Sequence, residues 1–488
     1  MYESLRDYLD KLEKEGYLLR IKKEIENGEE IFTILWKLAE KGKDDLALIF
    51  ENIKGYTIPI VANIFGSDSK RWALAFGLKN TMSIKELRNF VISKIEQKNE
   101  WKKPILISSS EAPTKEVILK GNEIDLFNFP ILEWHPNDNG RYVTYGLAIT
   151  KDETYGVNVG IYRMMVLDRN KLTIMCSPYQ HIGIYLEKAK KEGEKYLECA
   201  VTIGNIPALI IAGFTKLKIR ENEMEFAAAL NGGQPVKLVK CETVNLEVPA
   251  DSEIVIEGRI SVENFAPEGT FGEYMGYHEE KMEYPVFEIS CITHRRNPFY
   301  LTTIVSHHRA DGEALFRSVV QNAHFYRELK RAEIPGFVDC WLPLYGHGFV
   351  GIVSVNKKFR GWGRQLLYKI FGIPFVAATI NCLILVDDDI DPANLDEVIW
   401  ALGTRVDPYR DVVITKPIAM YGLNPAASVR VKPPETSAEI SLISRMLIDA
   451  TLKAEEDGLQ RKPPIPVKVR KEMVQTVEAK WKEYGFVE

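Results

Sequence analysis

The first residues of the chain show the apolar spacing of an amphipathic helix. Large apolar side chains recur at intervals of three and four residues, at Leu5, Tyr8, Leu9 and Leu12. This spacing puts them on one face of an α-helix, which turns every 3.6 residues. Ser4 is a suitable N-cap and Gly16 a suitable terminator, so the pattern predicts a helix between them. A compact α/β region is expected to follow, up to about residue 110.

Between about residues 115 and 320 the pattern changes to short strands. Apolar side chains occupy alternate positions at Ile254, Ile256, Ile260 and Val262, as in a strand with one buried face. Short apolar runs at 172–175 and 208–212 are separated by Gly, Asn and Pro and indicate further strands. A charged helix over about 184–191, ending at Gly193, interrupts them. The pattern predicts a mostly antiparallel sheet or barrel with a few helices.

After about residue 320 helices and strands alternate again. The pattern predicts a helix over 314–332, strands over 348–355 and 383–386, and a last helix over about 468–484. Three prolines, Pro463, Pro464 and Pro466, form a stiff connection to this last helix, which could equally pack on a second subunit. We therefore divide the chain into domains at 1–112, 113–320 and 321–460, followed by a linker and helix at 461–488.

Composition narrows the class of protein. The 488 residues, 45% hydrophobic and 27% charged, are typical of a globular protein with about three domains of roughly 100–200 residues. The net charge of -5 argues against nucleic acid or an anionic membrane as partner. The longest apolar stretch, 371–386, is too short to span a bilayer and predicts a short helix before a buried strand.

Cysteine usage and the N-terminus bear on the compartment. The six cysteines are scattered and include no Cys-x-x-Cys pair, so they indicate neither a disulfide framework nor a zinc site. The N-terminus lacks the apolar core of a secretory signal. We therefore expect reduced thiols and a cytoplasmic location.

The most informative segment runs from Pro267 to Tyr277 and reads PEGTFGEYMGY. Glu268 and Glu273 flank a Gly-x-x-Gly turn, which fits poorly inside a helix or a regular strand. Such a turn can bring both carboxylates to one side of the backbone. Paired carboxylates in a dry site push one pKa upward, as a general acid near neutral pH requires. An exposed acidic turn explains the same residues, and this segment alone favours that simpler interpretation.

Two further positions stand out upstream. Arg163 lies in an otherwise apolar segment, 155–168, that reads as a strand, and a buried guanidinium needs an anionic partner. Taken alone, it indicates a structural ion pair. His181 follows Tyr179 and Gln180, and a lone histidine is more often an ordinary core or surface residue than a ligand.

Taken together, these segments are far more specific. Asn158-x-x-Ile161-x-Arg163 is followed by Gln180-His181, then by KCET at 240–243 and by EGTFGE at 268–273. In order and spacing they resemble the UbiD family of prenylated-FMN-dependent decarboxylases. The opening LRDY at 5–8, DLFNFP at 125–130, VDDDID at 386–391 and VIWA at 398–401 are also similar to that family. The resemblance covers nearly the whole chain.

The resemblance implies a fold and an activity. The fold would be α/β (α+β), with a central split β-barrel flavin-binding domain between an N-terminal α/β domain and a C-terminal α/β oligomerisation domain. The activity would be reversible, non-oxidative decarboxylation of an aromatic or other α,β-unsaturated carboxylic acid. A physiological carboxylase of an aromatic compound, or a cofactor-holding subunit of a larger carboxylase complex, are the alternatives. The presence of Arg163, Glu268 and Glu273 argues against the last of these.

The family's cofactor is prenylated FMN, with its phosphate bound through Mn²⁺ or Mg²⁺ and a K⁺ ion nearby. By motif position the metal ligands would be Asn158, His181 and Glu223, whose amide, imidazole and carboxylate groups suit Mn²⁺. The cofactor-binding set would be Asn158, Gly160, Ile161, Tyr162, Arg163, Gln180, His181 and Glu223. The segment 212–214 reads AGF where the family often carries serines near the K⁺ site, so backbone carbonyls would contribute more there.

The resemblance also implies residue roles and partners. Glu273 would donate the proton that replaces CO₂, Arg163 would orient carboxylates, and Glu268 would hold Arg163. The substrate pocket would be lined by His307, His308, Arg317, Tyr421 and Leu423, although a solvated basic turn and ordinary core positions explain these residues equally well. The expected partners are a carboxylic acid and CO₂, a UbiX-type flavin prenyltransferase as cofactor supplier, and further copies of the chain in a homodimer or homohexamer.

Overall fold

The computed structural model describes residues 1–41, 46–307, 309–357, 361–420, 424–427, 429–431, 440–453, 465, 467 and 469–486. The N-terminal region contains α1 (Leu5–Lys14), β1 (Leu18–Ile21), α2 (Glu29–Lys41), β2 (Ala47–Phe50), β3 (Ile60–Ala62), α3 (Ser69–Ala75) and α4 (Ile84–Glu96). The predicted first helix is confirmed, because Ser4 and Asp7 form a capping box and Leu5, Tyr8, Leu9 and Leu12 are buried.

The central region consists mainly of strands, many of which form one large sheet. Its strands are β4 (Ile105–Leu106), β5 (Val117–Lys120), β6 (Tyr142–Val143), β7 (Leu147–Asp152), β8 (Gly156–Ile161), β9 (Met164–Asp168), β10 (Lys171–Thr173), β11 (Tyr196–Ile203), β12 (Lys237–Lys240), β13 (Glu247–Pro249), β14 (Ile254–Glu268), β15 (Phe271–Gly272), β16 (His278–Glu279), β17 (Met282–His294) and β18 (Tyr300–Thr302). Its helices are α5 (His181–Lys191), α6 (Pro207–Phe214) and α7 (Glu223–Leu230).

Nine of these strands form a single antiparallel sheet, as the sequence predicted. Its order is β6-β9-β10-β17-β14-β11-β7-β8, and β5 pairs with β17. Strand β18 leaves this region to pair with β3, so the N-terminal sheet has the order β1-β2-β3-β18. A single apolar core runs through both regions. The N-terminal and central regions are therefore packed as one body around a shared core.

The C-terminal region returns to mixed α/β structure. It contains α8 (Asp311–Leu315), α9 (Asn322–Arg331), β19 (Phe337–Trp341), β20 (Val350–Val355), α10 (Trp362–Phe371), α11 (Pro374–Thr379), β21 (Cys382–Asp387), α12 (Leu395–Arg405), α13 (Pro408–Asp411), β22 (Val412–Ile414), β23 (Ile418–Met420), β24 (Val429–Val431), β25 (Ile440–Ile443), β26 (Met446–Asp449) and α14 (Lys471–Ala479). A π-helical segment, Phe316–Gln321, joins α8 to α9. Short 3₁₀ helices lie at Lys98–Glu100, Ser109–Glu111, Pro113–Lys115, Gly121–Glu123, Leu126–Asn128 and Leu344–Gly346.

The C-terminal strands form two sheets. The larger has the order β19-β20-β21-β26-β22, and a separate three-stranded sheet has the order β23-β25-β24. Alternate residues of β20 and β21 pack into different apolar clusters, because successive strand side chains point to opposite faces. The stretch 371–386 is a short helix, α11, followed by the buried strand β21, as predicted. None of the helices in the described ranges is both long and apolar enough to cross a bilayer.

Three local predictions were wrong. The run 208–212 lies in helix α6, which Pro207 begins and whose residues 207–212 are all buried; a helix that is apolar all round shows no amphipathic period. The start of β14 is buried on both sides, since Val255 and Glu257 have no exposed surface. Arg163 lies outside any strand, at a break between β8 and β9.

Candidate active site

Arg163 is placed at the centre of the site by the break between β8 and β9. Strand β8 pairs with β7, whereas β9 pairs with β6 and β10, so the chain crosses between distant parts of the sheet at Tyr162 and Arg163. The Arg163 side chain is only 7% exposed. A buried guanidinium at a strand break can point into the interior, where a regular strand would direct it to one face of the sheet.

Three carboxylates surround this guanidinium. The Nε of Arg163 donates to Oε1 of Glu268 at 2.7 Å, one terminal nitrogen donates to Oε1 of Glu273, and the other donates to Oε2 of Glu279 at 2.5 Å. Thr173 donates its hydroxyl hydrogen to the second oxygen of Glu268. All three glutamates are buried. The sequence predicted the first two partners and not the third.

Aromatic rings cover the guanidinium of Arg163. Its central carbon lies 5.1 Å from the ring centroid of Phe271 and 5.7 Å from that of Tyr284, distances typical of cation–π contacts. With carboxylates along its edge and rings near its faces, the group is held in one orientation. A preorganised guanidinium loses little conformational entropy when it binds a further carboxylate.

Burial and neighbouring charges oppose each other in this cluster. Burial lowers the pKa of Arg163, but Glu273, Glu268 and Glu279 outweigh it and hold that pKa well above its ordinary value. Burial raises the pKa of Glu268; the charge of Arg163 and the hydroxyl of Thr173 oppose this rise, and Glu279 adds to it. The net rise favours the protonated form of Glu268.

The loop that carries Glu273 is held from both ends. Strand β14 ends at Glu268, and β15 and β16 then form a short hairpin in which Phe271 pairs with Glu279. The buried carboxylate of Asp138 accepts the backbone N–H of Gly272 at 3.0 Å, and burial raises the pKa of Asp138. The backbone N–H of Glu273 donates to the carbonyl of Tyr277 at 2.9 Å. These contacts fix Glu273 beside Arg163.

A cavity of about 530 Å³ opens next to this cluster. The predicted residues that line it are Ile161, Tyr162, Arg163, Gln180, Glu273 and Arg317. Much of the remaining wall is aromatic, from Tyr145, Phe214, Phe271, Tyr274, Tyr284 and Phe316. The volume and the apolar wall with a few polar groups are those of a site for a cofactor-sized or drug-sized ligand.

Two of the three predicted metal ligands, Asn158 and Glu223, lie near the hydroxyl of Tyr162. Glu223 begins α7, and its Oε2 accepts the backbone N–H of Val159 at 3.0 Å. The Tyr162 hydroxyl is hydrogen-bonded to the side chain of Asn158 and to the backbone of Ile182, beside His181, and burial raises the pKa of Tyr162. Gly160 is required here, because a Cβ atom on it would lie 2.7 Å from the Tyr162 ring.

The chemistry of these donors fits a bound cation. Burial raises the pKa of Glu223 to about 8, and no basic side chain in the described ranges forms a salt bridge with it. Burial lowers the pKa of His181, the first residue of α5, as does the nearby charge of Lys216, so the imidazole is neutral as a metal ligand must be. Across the described ranges, no cluster of three or more His, Cys, Asp or Glu side chains is arranged to bind a metal. The predicted metal-ligand set contains only two such residues, His181 and Glu223, and its third ligand would be the side-chain amide of Asn158.

The other predicted residues are distributed differently. Gln180 lines the cavity and accepts the backbone N–H of Ser177 at 2.7 Å. Arg317 lies 3.9 Å from the ring centroid of Tyr274 and is paired with Glu313 at 3.0 Å. His307 is buried against Trp36, with ring centroids 4.6 Å apart, and is not among the described residues that line the cavity. The predicted substrate contacts His308, Tyr421 and Leu423 lie outside the described residues.

Sequence reasoning missed Glu279 and Thr173. Glu279 comes only six residues after Glu273, but its contact with Arg163 depends on the β15–β16 hairpin, in which Phe271 pairs with Glu279. Thr173 ends β10, and nothing in its neighbourhood along the chain distinguishes it from other strand threonines. A tertiary contact between segments about a hundred residues apart leaves no local periodic signal.

Three family models together match most of the chain. The 3-octaprenyl-4-hydroxybenzoate carboxy-lyase N-terminal domain matches residues 9–91, the Rift-related domain of the same family matches 106–308, and its C-terminal domain matches 314–450. Arg163, Glu268, Glu273 and Glu279 all fall in the second of these.

Relatives and solved structures agree with the family models. An uncharacterized protein of Aquifex aeolicus is 34% identical, with 99% of each chain covered, and one of Archaeoglobus fulgidus is 32% identical, with 99% of this chain and 98% of that one covered. The vanillic acid decarboxylase of Sedimentibacter hydroxybenzoicus, in its closed form, is 30% identical with a TM-score of 0.87 over 99% of both chains. The UbiD-class enzyme HmfF of Pelotomaculum thermopropionicum, in complex with FMN, is 31% identical with a TM-score of 0.79, over 95% of this chain and 97% of that one.

The family models span nearly the whole chain, and two relatives above 30% identity each cover 99% of it. The three-part architecture around a large antiparallel sheet is shared with solved UbiD-class enzymes over 95–99% of this chain. The chain therefore belongs to the UbiD family of carboxy-lyases.

Proposed function

We propose that this chain catalyses the reversible, non-oxidative decarboxylation of an aromatic or other α,β-unsaturated carboxylic acid with prenylated FMN as cofactor. The observation that carries the proposal is the buried contact of Arg163 with Glu268 and Glu273 in the wall of the cavity. The similarity to a vanillic acid decarboxylase, and to a dimeric HmfF solved with prenylated FMN at 30% identity, supports both the reaction and the cofactor.

The residues around Tyr162 fit the phosphate end of such a cofactor. Asn158, His181 and Glu223 would hold Mn²⁺ or Mg²⁺, which in turn would bind the phosphate oxygens. A cation there would satisfy the buried carboxylate of Glu223, whose pKa of about 8 reflects burial without a charge partner. A K⁺ ion would be the second cation of the site, and backbone carbonyls would provide most of its ligands. Prenylated FMN, when bound, supplies the electron sink that decarboxylation of an unsaturated acid requires.

The chain's own residues would then position the acid and move a proton. Arg163 would orient the substrate carboxylate through the N–H groups that its glutamate partners leave available. Glu268, held by Arg163 and Thr173, would keep the guanidinium in place. Glu273 would donate its proton to the carbon that loses CO₂, and would accept that proton back in the carboxylation direction.

The cavity favours a planar, largely apolar substrate. Its aromatic wall can stack on an unsaturated or aromatic acid and excludes water from the reacting carbon. Arg317 is already engaged by Glu313 and by the ring of Tyr274, so most of its charge is compensated within the protein. The part of the cavity next to Arg317 therefore suits a neutral polar substituent of the substrate better than a second substrate carboxylate.

The test is turnover of a Glu273→Gln variant. The protein is co-expressed with a UbiX-type flavin prenyltransferase, purified without oxygen, and assayed for CO₂ release from a panel of unsaturated and aromatic acids. We expect the variant to bind the cofactor at the wild-type level and to lose at least about a thousandfold in kcat, since proton donation is lost while side-chain volume is kept.

The control is Glu263→Gln, an exposed glutamate on β14, which should leave turnover unchanged. Full activity in Glu273→Gln would refute the role of Glu273. A wild-type protein that carries prenylated FMN but releases CO₂ from no acid would refute decarboxylation and favour the carboxylase direction, tested by carboxylation of the matching aromatic compound under high CO₂.

A further inference from the structure

We propose that Glu279 is a positioning residue of the catalytic group: it holds one terminal nitrogen of Arg163 and thereby sets how the positive charge of Arg163 is shared between Glu268 and Glu273. This inference rests on the proposed function, because it assigns a task within the same reaction. Its geometry is independent of any ligand, since the contact of Glu279 with Arg163 lies within the protein.

The position of Glu279 is defined by its hairpin. Strand β16 pairs with β15 so that Glu279 lies opposite Phe271, whose ring is one of those next to the guanidinium. The side chain of Glu279 is 3% exposed, and its Oε2 accepts a hydrogen bond from Arg163 at 2.5 Å. Next to it, His278 lies 3.6 Å from Asp138, the residue that fixes Gly272. Glu279 and Glu273 are therefore held by one short hairpin against one guanidinium.

The charge balance of the cluster explains why the contact of Glu279 with Arg163 matters. Glu268, Glu273 and Glu279 share the guanidinium of Arg163, and burial makes several ionised carboxylates in one site costly. Besides Arg163 and the three glutamates, the titratable groups that act on this cluster include Tyr142, Cys176, Tyr274 and Tyr284, and Asp138, paired with His278, holds the hairpin. Glu279 is one of the charges that raise the pKa of Glu268. By taking part of the positive charge of Arg163, Glu279 leaves less of it to stabilise ionised carboxylates elsewhere in the cluster.

A Glu279→Gln variant tests this role with little change in shape. One guanidinium would then serve two carboxylates instead of three, which favours ionised carboxylates in the cluster. At any given pH fewer molecules would carry a protonated carboxyl group there. We expect the alkaline limb of the kcat–pH profile to move down by about one pH unit, which is about tenfold lower kcat on that limb, with kcat near the wild-type value at the acidic end.

Two controls separate this role from general damage. Glu279→Asp keeps the charge and should restore most of the alkaline activity, and Glu263→Gln removes an exposed carboxylate of the same sheet and should leave the profile unchanged. A Glu279→Gln profile that superimposes on the wild type would overturn the proposal. So would a loss of kcat by the same factor at every pH, since that is the result expected of a purely structural residue.

A measurement without substrate distinguishes failure of this inference from failure of the proposed function. Infrared spectroscopy of the cofactor-free protein detects protonated carboxyl groups through their carbonyl stretching band, compared between wild type and Glu279→Gln at alkaline pH. We expect the wild type to retain a buried protonated carboxyl signal that weakens in the variant, whether or not any acid is decarboxylated. An identical band in both proteins would overturn the inference even if the enzyme is an active decarboxylase.

Discussion

Replacement of Arg163 by methionine should expose the energetic role of the buried charge cluster. Methionine keeps an unbranched apolar stem near the rings of Phe271 and Tyr284 but removes the guanidinium. Glu268, Glu273 and Glu279 would then lose their common partner while remaining buried.

The magnitude follows from the cost of an uncompensated buried charge. Removal of one partner from a buried ion pair typically destabilises a protein by about 3–5 kcal/mol, and here several carboxylates lose the same partner. Because the packing of the stem is largely kept, most of this loss should come from charge. We expect Arg163→Met to lower the free energy of unfolding by about 3–5 kcal/mol near neutral pH.

The loss should depend on pH in a defined direction. A carboxyl group whose pKa is raised in the folded state contributes stability that is present in acid and is lost as the pH rises through the folded value. Burial gives Glu268 such a raised pKa, and Arg163 opposes the rise. Without Arg163 the pKa of Glu268 rises further, so more stability is lost as the pH rises. The difference in unfolding free energy between wild type and variant should therefore be largest on the alkaline side, and it should shrink in acid, where the glutamates are neutral.

The assay is urea unfolding of wild type and variant, followed by tryptophan fluorescence, at intervals from about pH 5 to about pH 9. The matched control is Arg259→Met, because Arg259 is 54% exposed and its pair with Glu198 spans 3.5 Å. This exposed pair should contribute less than about 1 kcal/mol at any pH. An equal deficit of Arg163→Met at every pH would refute the reasoning, because it would show that Arg163 stabilises the fold by packing and not by charge.

Two further predictions concern the cofactor end of the site. His181→Ala should lose Mn²⁺ and flavin together, as measured by elemental analysis and flavin absorbance, and wild-type occupancy of both would refute the ligand assignment. Gly183→Ala should lower metal occupancy and cost about 1–3 kcal/mol of stability, because its Cβ would lie 2.1 Å from the carbonyl oxygen of Ser177 and push α5, which begins at His181. Gly403→Ala, at a helical position with no atom within 4 Å of the added Cβ, is its control and should be neutral or stabilising.

Local sequence signals determined much of the secondary structure. The capped, amphipathic helix α1 and the helix–strand pair α11 and β21 lie where the pattern put them. Capping and hydrophobic periodicity act between residues a few positions apart, so they can be read from the chain alone. The same rules misassigned 208–212 as a strand, because a fully buried helix has no polar face to give it a period.

The motif residues of the site could also be identified from the sequence. The resemblance to the UbiD family predicts that Arg163, Glu268 and Glu273 act together, and the fold brings both glutamates into contact with Arg163. The metal-ligand prediction for Asn158, His181 and Glu223 remains a prediction, although burial without a charge partner makes Glu223 a natural cation ligand. His307 packs on Trp36 of the N-terminal region, a contact across 271 positions of chain that no local pattern predicts.

What only the tertiary structure decided is the electrostatic state of the site. The sequence shows two glutamates that could pair with Arg163, but the break between β8 and β9 and the β15–β16 hairpin bring a third, Glu279, to the same guanidinium. The number of carboxylates that share one cation, and how deeply they are buried, sets which of them hold a proton. Both quantities depend on contacts between distant segments, so the chain suggests which groups take part while only the fold sets how many carboxylates share Arg163.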